Sequence, residues 1–157
     1  MKLCEEYFDW MASELQKNYG IDVDLTLGIT LRDYVESNVD DFISCLSSRG
    51  VLYLVQEKEE TIGMGALVEL KEGIGEIKRM YIRPEYRGKG LGREMLRLVL
   101  RKGKEYGFSE IYLETGAFMT TAQGLYRSMG FHDRSEYPET EVPPQLRRFW
   151  IFMEKRI

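Results

Sequence analysis

The sequence predicts an α/β protein of the α+β kind: one domain on a mixed, mostly antiparallel sheet flanked by helices. Three observations carry this. Val51 to Glu57, Thr61 to Leu70 and Glu76 to Ile82 are rich in branched and aromatic residues, and only the polar turns Lys58-Glu59-Glu60 and Lys71-Glu72-Gly73 separate them, so they read as successive strands. Leu91, Met95, Leu98 and Val99 then recur at helical spacing before a further strand, Ser109 to Glu114; that β-α-β unit requires its two strands to be parallel. Before all of these, two amphipathic stripes precede Val51.

A chain of 157 residues suits a single domain, 1–157, with a real core. With 43% hydrophobic and 31% charged residues it is expected to be globular and cytoplasmic. No apolar run is long enough for a membrane span, and no signal peptide is expected before the acidic pair Glu5 and Glu6. Cys4 and Cys45 make no disulfide framework and read as small apolar residues. One histidine and two distant cysteines supply no metal-ligand cluster, so no metal is expected. His132 reads as a surface residue at a strand start. A net charge of −4 argues against nucleic acid as a partner and fits a cationic one, such as an amine.

In chain order, Leu3, Tyr7, Trp10, Met11 and Leu15 form the first helical stripe, with Gly20 to end it; a tryptophan in such a stripe is more often core than site. Asp22 to Ile29 is expected to hold a short extended piece. Thr30 is placed to cap a second helix with Tyr34, Val35, Val39, Phe42, Ile43 and Leu46 as its apolar positions. Gly63 and Gly65 suggest a bulge or a close approach of backbone to ligand. Pro84 ends the Glu76 strand, and Gly107 is placed to cap the long helix. Thr120 or Thr121 caps a short helix through Met129, Gly130 ends it, and Phe131 opens a strand. Asp133 to Gln145, with three prolines and Glu136, Glu139 and Glu141, is a loop: either solvated, or a lip on an acceptor site. Arg148 to Lys155 closes the sheet.

Between strand and long helix lies Arg87-Gly88-Lys89-Gly90-Leu91-Gly92. The first turn of a helix presents unpaired N–H groups and the positive end of the macrodipole. Glycines let that backbone approach a phosphate, and Arg87, Lys89 and Arg93 add charge. The glycine spacing is neither that of a Walker A loop nor that of a dinucleotide fingerprint. It matches Arg-x-x-Gly-x-Gly at Arg87, Gly90 and Gly92. With KRMYIRPEYRGKG before it and Leu125-Tyr126-x-x-x-Gly130-Phe131 after it, the chain from about Val51 onward resembles the GCN5-related N-acetyltransferase (GNAT) family.

The resemblance implies a GNAT-like fold, acetyl-CoA as co-substrate with its pyrophosphate on the Arg87–Gly92 loop, and an amine acceptor: a small molecule, an amino acid or a protein N-terminus. It leaves room for a homodimer. It further implies that Met80, Tyr81 and Ile82 bulge and splay from the Ile111 to Glu114 strand. The freed backbone would pair with pantetheine, and one N–H would hold the thioester oxygen. Cofactor contacts are therefore expected from Met80, Tyr81, Ile82, Arg87, Gly88, Lys89, Gly90, Leu91, Gly92 and Arg93. The chain departs from the family in two places. It opens with a helix, so the first strand is missing or is supplied by Ile21 to Leu27; this puts the acceptor in question rather than the cofactor. Met119 stands where many members have an asparagine, so the cofactor contact from this helix is either weaker or supplied by Thr121 or Gln123.

Acetyl transfer needs a base for the amine and a proton for the thiolate. Glu76, a residue depleted in strands, stands where several members of the family place the base; the plainer alternative is an outward glutamate paired with Lys78 or Arg79. Tyr126 stands where the family places a tyrosine near the coenzyme A sulfur. A phenol suits a departing thiolate, since both conjugate acids lie near pKa ~8.5–10; the plainer alternative is a core tyrosine. Two other functions stay open: an acyl-CoA-binding regulatory module without turnover, and a nucleotide-binding protein, for which the sequence offers no Mg²⁺-ligand motif.

Overall fold

A computed structural model of the chain describes residues 2–46 and 49–157. The side chain of Cys45 lies outside what is described; Cys4 is a partly buried free thiol. Helix α1 (Lys2–Tyr19) opens the chain, then α2 (Val23–Leu27) and α3 (Leu31–Cys45). Strands β1 (Val51–Glu57), β2 (Glu60–Lys71) and β3 (Ile74–Ile82) follow, then α4 (Leu91–Glu105), β4 (Glu110–Gly116), α5 (Thr120–Ser128), β5 (His132–Arg134) and β6 (Trp150–Arg156). The strands form one six-stranded sheet in the order β1-β2-β3-β4-β6-β5. As the β-α-β reading requires, β3 and β4 are parallel; every other pair is antiparallel.

Helices cover both faces, for reasons the strand alternation supplies. On one face Leu67, Ile77, Ile111, Leu113 and Met153 pack with Leu96, Val99 and Leu100 of α4 and Tyr126 of α5. On the other, Met64 and Tyr81 meet Leu3, Tyr7 and Trp10 of α1, and Ala66 and Val68 meet Phe42 of α3. Gly65 lets α4 lie close: a Cβ there would stand 2.3 Å from the Met95 sulfur. The close approach expected at this glycine is therefore made by a core side chain, not by a ligand.

The extended piece expected near Asp22 to Ile29 is instead helical. Asp22 caps α2, its side chain accepting from Leu25 N at 3.0 Å, and no strand precedes β1 among the described residues. A short aspartate at the N-cap outweighs the strand propensity of Ile21 and Val23. Thr30 starts α3 as expected, exchanging bonds with Asp33: Asp33 N donates to Thr30 Oγ1 at 3.1 Å, and Thr30 Oγ1 to Asp33 Oδ2 at 2.8 Å. The cap of α5 is not a threonine but Met119, which makes no side-chain cap bond.

Candidate active site

The pairing of β3 with β4 is short. It runs from Ile74↔Glu110 to Ile77↔Leu113 and stops, although both strands continue. The register of β3 on β2 slips at the same level: between the pairs Met64↔Tyr81 and Ala66↔Lys78, two residues, Arg79 and Met80, stand against the single Gly65. Arg79 takes a left-handed conformation, φ 54°. This bulge turns β3 away from β4. Between the splayed strands lies a groove of about 520 Å³, lined by Met80, Tyr81 and Ile82 on one side and by Thr115, Thr121 and Tyr126 on the other.

The glycine loop forms one end of this groove. Gly90 is the N-cap of α4 with φ 83°, and nothing lies within 4 Å of where a Cβ would stand on it or on Gly88. The amides of Leu91 and Gly92 belong to the first helical turn, which has no preceding carbonyls to take them. Arg87, Gly88 and Arg93 also line the groove. Two of the three expected cations are held by the protein. Arg87 Nε donates to Ile82 O at 2.8 Å, and its guanidinium lies 4.6 Å from the centre of the Trp10 ring; Arg93 donates to Ser128 Oγ at 3.1 Å. Lys89, by contrast, is not on the groove wall; its ammonium lies over Tyr86, 4.9 Å from the ring centre. Gln123 is also turned away, donating to Gly116 O at 2.9 Å, whereas Thr120, Thr121 and Tyr126 of α5 line the groove. The groove fits an anion at the loop and an extended chain along the open strand edge.

Gly90→Asp tests the loop. Aspartate tolerates the left-handed region better than most residues, and a carboxylate suits a helix start, so folding should survive. Affinity for coenzyme A should fall by roughly 10²-fold or more, since like charges set together cost several kcal/mol. Titration calorimetry showing parental affinity in the folded variant would take the loop out of the site.

A second cavity, of about 130 Å³, lies on the α1 side of the sheet. Its walls are apolar side chains of α1 and α2, among them Met11, Leu15, Val23 and Leu27; its floor carries Glu76, Lys78, Arg79 and Glu114, with Glu141 at the side. Tyr7, Ile77, Arg79 and Glu114 line both cavity and groove. That places Glu114 where an acceptor and a thioester can meet. Glu76 lines only the cavity, and Tyr126 only the groove.

Glu76 is not an outward glutamate: it is 1% exposed. Tyr137 Oη donates to its Oε1 at 2.5 Å, and Lys78 Nζ stands 3.0 Å from its Oε2. The latter is an ion pair without hydrogen-bond alignment, for Oε2 has no bonded donor. Burial raises the Glu76 pKa, and Lys78 and Tyr137 oppose the shift. Burial pulls Lys78 the other way, but Glu76 and Glu141, the latter at 2.5 Å, outweigh it and hold the ammonium above its ordinary value. Glu114 differs in kind. Its buried Oε1 has no hydrogen-bond partner among the described residues. Burial, reinforced by the Glu76 charge, pushes its pKa up to about 7, against weaker opposing effects from Thr140, Lys78 and Tyr137. Tyr126 is 6% exposed, and burial raises its pKa well above that of a free phenol.

Sequence reasoning missed Glu114, Tyr137 and the part played by α1. The signal for Glu114 was the one used for Glu76, a glutamate inside a strand. Tyr137 sits in a proline-rich loop that gave no signal, yet it is 1% exposed and packs on Tyr112 and Phe152. Trp10, read as core, stands on the groove wall, so the opening helix borders the groove as well as the second cavity. The loop glutamates divide. Glu136 pairs with Arg147 and Glu139 with Lys71, and only Glu141 reaches the cavity. Glu136→Gln with Glu139→Gln is therefore expected to leave the acceptor KM within about twofold of parent, since exposed pairs contribute little. A several-fold rise in steady-state KM would restore this part of the loop to the acceptor site.

Comparison with known proteins agrees with this geometry. The profile of the acetyltransferase (GNAT) family matches residues 5–131. The chain is 34% identical over 122 residues to the IAA acetyltransferase of Azospirillum brasilense, covering 76% of this chain and 77% of that one. A GNAT-family acetyltransferase structure from Staphylococcus aureus Mu50 superposes with a TM-score of 0.70 over 97% of this chain and 92% of that one, at 22% identity. A GNAT-family acetyltransferase from Elizabethkingia anophelis, solved with acetyl-CoA bound, gives 0.61 over 78% and 83%, also at 22% identity. At such identities the two structures speak to the fold alone. From the profile, the sequence relative and the splayed sheet together, the chain belongs to the GNAT family and is an acetyltransferase.

Proposed function

We propose that the protein moves an acetyl group from acetyl-CoA to the primary amine of a small acceptor by direct attack on the thioester, in the cytoplasm. The observation that carries this reading is the meeting of groove and second cavity at Glu114. The glycine loop and the open edge of β3 would bind and orient acetyl-CoA, which supplies the activated acyl group. The structural neighbour holding acetyl-CoA supports that choice. Glu114, titrating near 7, takes the proton that the amine must lose. Glu76, the base expected from the sequence, stands behind it with Tyr137 and Lys78 on its oxygens, and its charge helps to raise Glu114. Tyr126, like any phenol, is protonated through the neutral range and so has a proton to give to the leaving thiolate; burial makes it a weaker acid than a free phenol, so the transfer depends on placement at the sulfur rather than on acidity. Its ring lines the groove, on the wall opposite Met80 to Ile82.

The test is thiol release from acetyl-CoA with a panel of primary amines, with acetylated product identified by mass. Amine-dependent release with one product per thiol is expected. Binding of acetyl-CoA with no amine-dependent release from any acceptor tried would overturn the reading.

A further inference from the structure

Arg79 has no role in the chemistry above, yet it stands at the junction of groove and cavity. Its backbone is left-handed at φ 54°, a conformation that costs a side-chain-bearing residue about 1–2 kcal/mol. Strain of this kind persists where surrounding structure holds it, and it clusters at functional positions. The guanidinium lies over the Phe42 ring, 3.7 Å from its centre, with Phe8 on another side at 5.8 Å. Its Nη2 reaches Asn38 O only at 3.4 Å, and its Nη1 is buried without a hydrogen-bond partner among the described residues. Among the described residues no carboxylate pairs with it, whereas Lys78, the other cation of the cavity, is taken by Glu76 and Glu141. A buried guanidinium nitrogen with nothing to bond is costly, unless a ligand supplies the acceptor.

The same wall offers a second orphan of opposite sign, the buried Glu114 Oε1. Thus an unpartnered donor and an unpartnered carboxylate oxygen flank one opening. On the side of α1 and α2 the cavity wall is apolar, formed by Met11, Leu15, Val23 and Leu27 with Leu146 beside them, while Glu76, Lys78 and Glu141 stay on the sheet side. Resting on the acyl-transfer reading, we propose that the acceptor is a free α-amino acid with an apolar side chain. Its carboxylate is bound by Arg79, its amine faces Glu114, and its side chain fills the α1–α2 cavity. An α-amino acid carries amine and carboxylate on one carbon, so the groups that recognise them must flank one mouth, as these two do. A diamine would meet the guanidinium with a like charge, and a peptide N-terminus would leave Nη1 without an anion.

The test compares L-leucine with 3-methylbutylamine, which lacks only the carboxylate, and with L-leucinamide, which stands for a peptide terminus. Steady-state kcat/KM is measured for the parent, Arg79→Met and Arg79→Lys, with calorimetry of coenzyme A binding as the check on folding. In the parent, L-leucine should be the best of the three. Arg79→Met should lower kcat/KM for L-leucine roughly 10–10²-fold more than for 3-methylbutylamine, the usual size of a hydrogen bond to a charged group. Arg79→Lys should recover part of that difference. Comparing variant with parent on each substrate cancels the differing basicities of the amines. Equal falls on both substrates, or a parent faster on either carboxylate-free amine, would overturn the proposal while leaving acyl transfer intact. Should Arg79→Met not fold, the parent comparison decides alone. No release with any amine, by contrast, would remove the acyl-transfer reading and this one with it.

Discussion

Glu114→Gln is expected to lower kcat for acetyl transfer by roughly 10²–10⁴-fold, the usual worth of a positioned base, and at the same time to stabilise the protein above neutral pH. Both effects have one cause. The carboxyl is buried beside Glu76, which pushes its pKa from 4.5 up to about 7. A group whose folded pKa is raised stabilises the fold while protonated. That contribution is complete below its unfolded pKa, near 4.5, and is lost as pH rises through about 7. At pH 8 an ionised Glu114 therefore weakens the fold by on the order of 3 kcal/mol. Glutamine keeps the shape and cannot ionise. The variant's Tm should exceed the parent's at pH 8, and the parent should lose more Tm than the variant between pH 5 and 8. Thermal denaturation across that range, beside steady-state kinetics, checks both halves. A variant that keeps the parental rate would place the base elsewhere, and a Tm difference independent of pH would remove the titration of Glu114 as its cause.

Tyr126→Phe is the second change with a large expected effect, roughly 10²–10⁴-fold in kcat. It removes one oxygen. The ring packs against Phe131, their centres 5.9 Å apart, and sits in the main core beside Leu96 and Leu113, so folding should hold. Affinity for coenzyme A should change little, because the phosphate end of the groove is at the glycine loop, formed by other residues. Single-turnover kinetics separate binding from chemistry here. A parental rate in the variant would mean that water protonates the thiolate, or that departure of the thiolate does not limit turnover. A large loss of coenzyme A affinity would make Tyr126 a binding residue instead.

What could be read from the sequence was what local pattern encodes. The loop from Arg87 to Gly92, the helical stripe after it and the tyrosine before Gly130-Phe131 are contiguous signals, and the β-α-β unit fixed the parallel pair. The rest depends on distant chain segments. Nothing in EIKRMYI shows that Arg79 takes a left-handed bulge, and nothing in IYLE shows that pairing ends one residue before Glu114. Those two facts open the groove, and they arise from how three strands are aligned. Tyr137 reaches Glu76 across 61 positions of sequence. The helix at Val23 turned on one aspartate cap, a signal weaker to the eye than the branched residues around it.

In the proposed reaction, transfer takes place where groove and cavity meet, with Glu114 rather than Glu76 as the base. The decisive measurement is the pH dependence of kcat/KM for an amine acceptor in parent, Glu114→Gln and Glu76→Gln. In the parent, activity should rise with pH through a limb near 7, as Glu114 loses its proton. Glu114→Gln should abolish that limb. Glu76→Gln should keep it and move it to lower pH, because the charge that raises Glu114 is gone. A limb that survives in Glu114→Gln and disappears in Glu76→Gln would contradict the account.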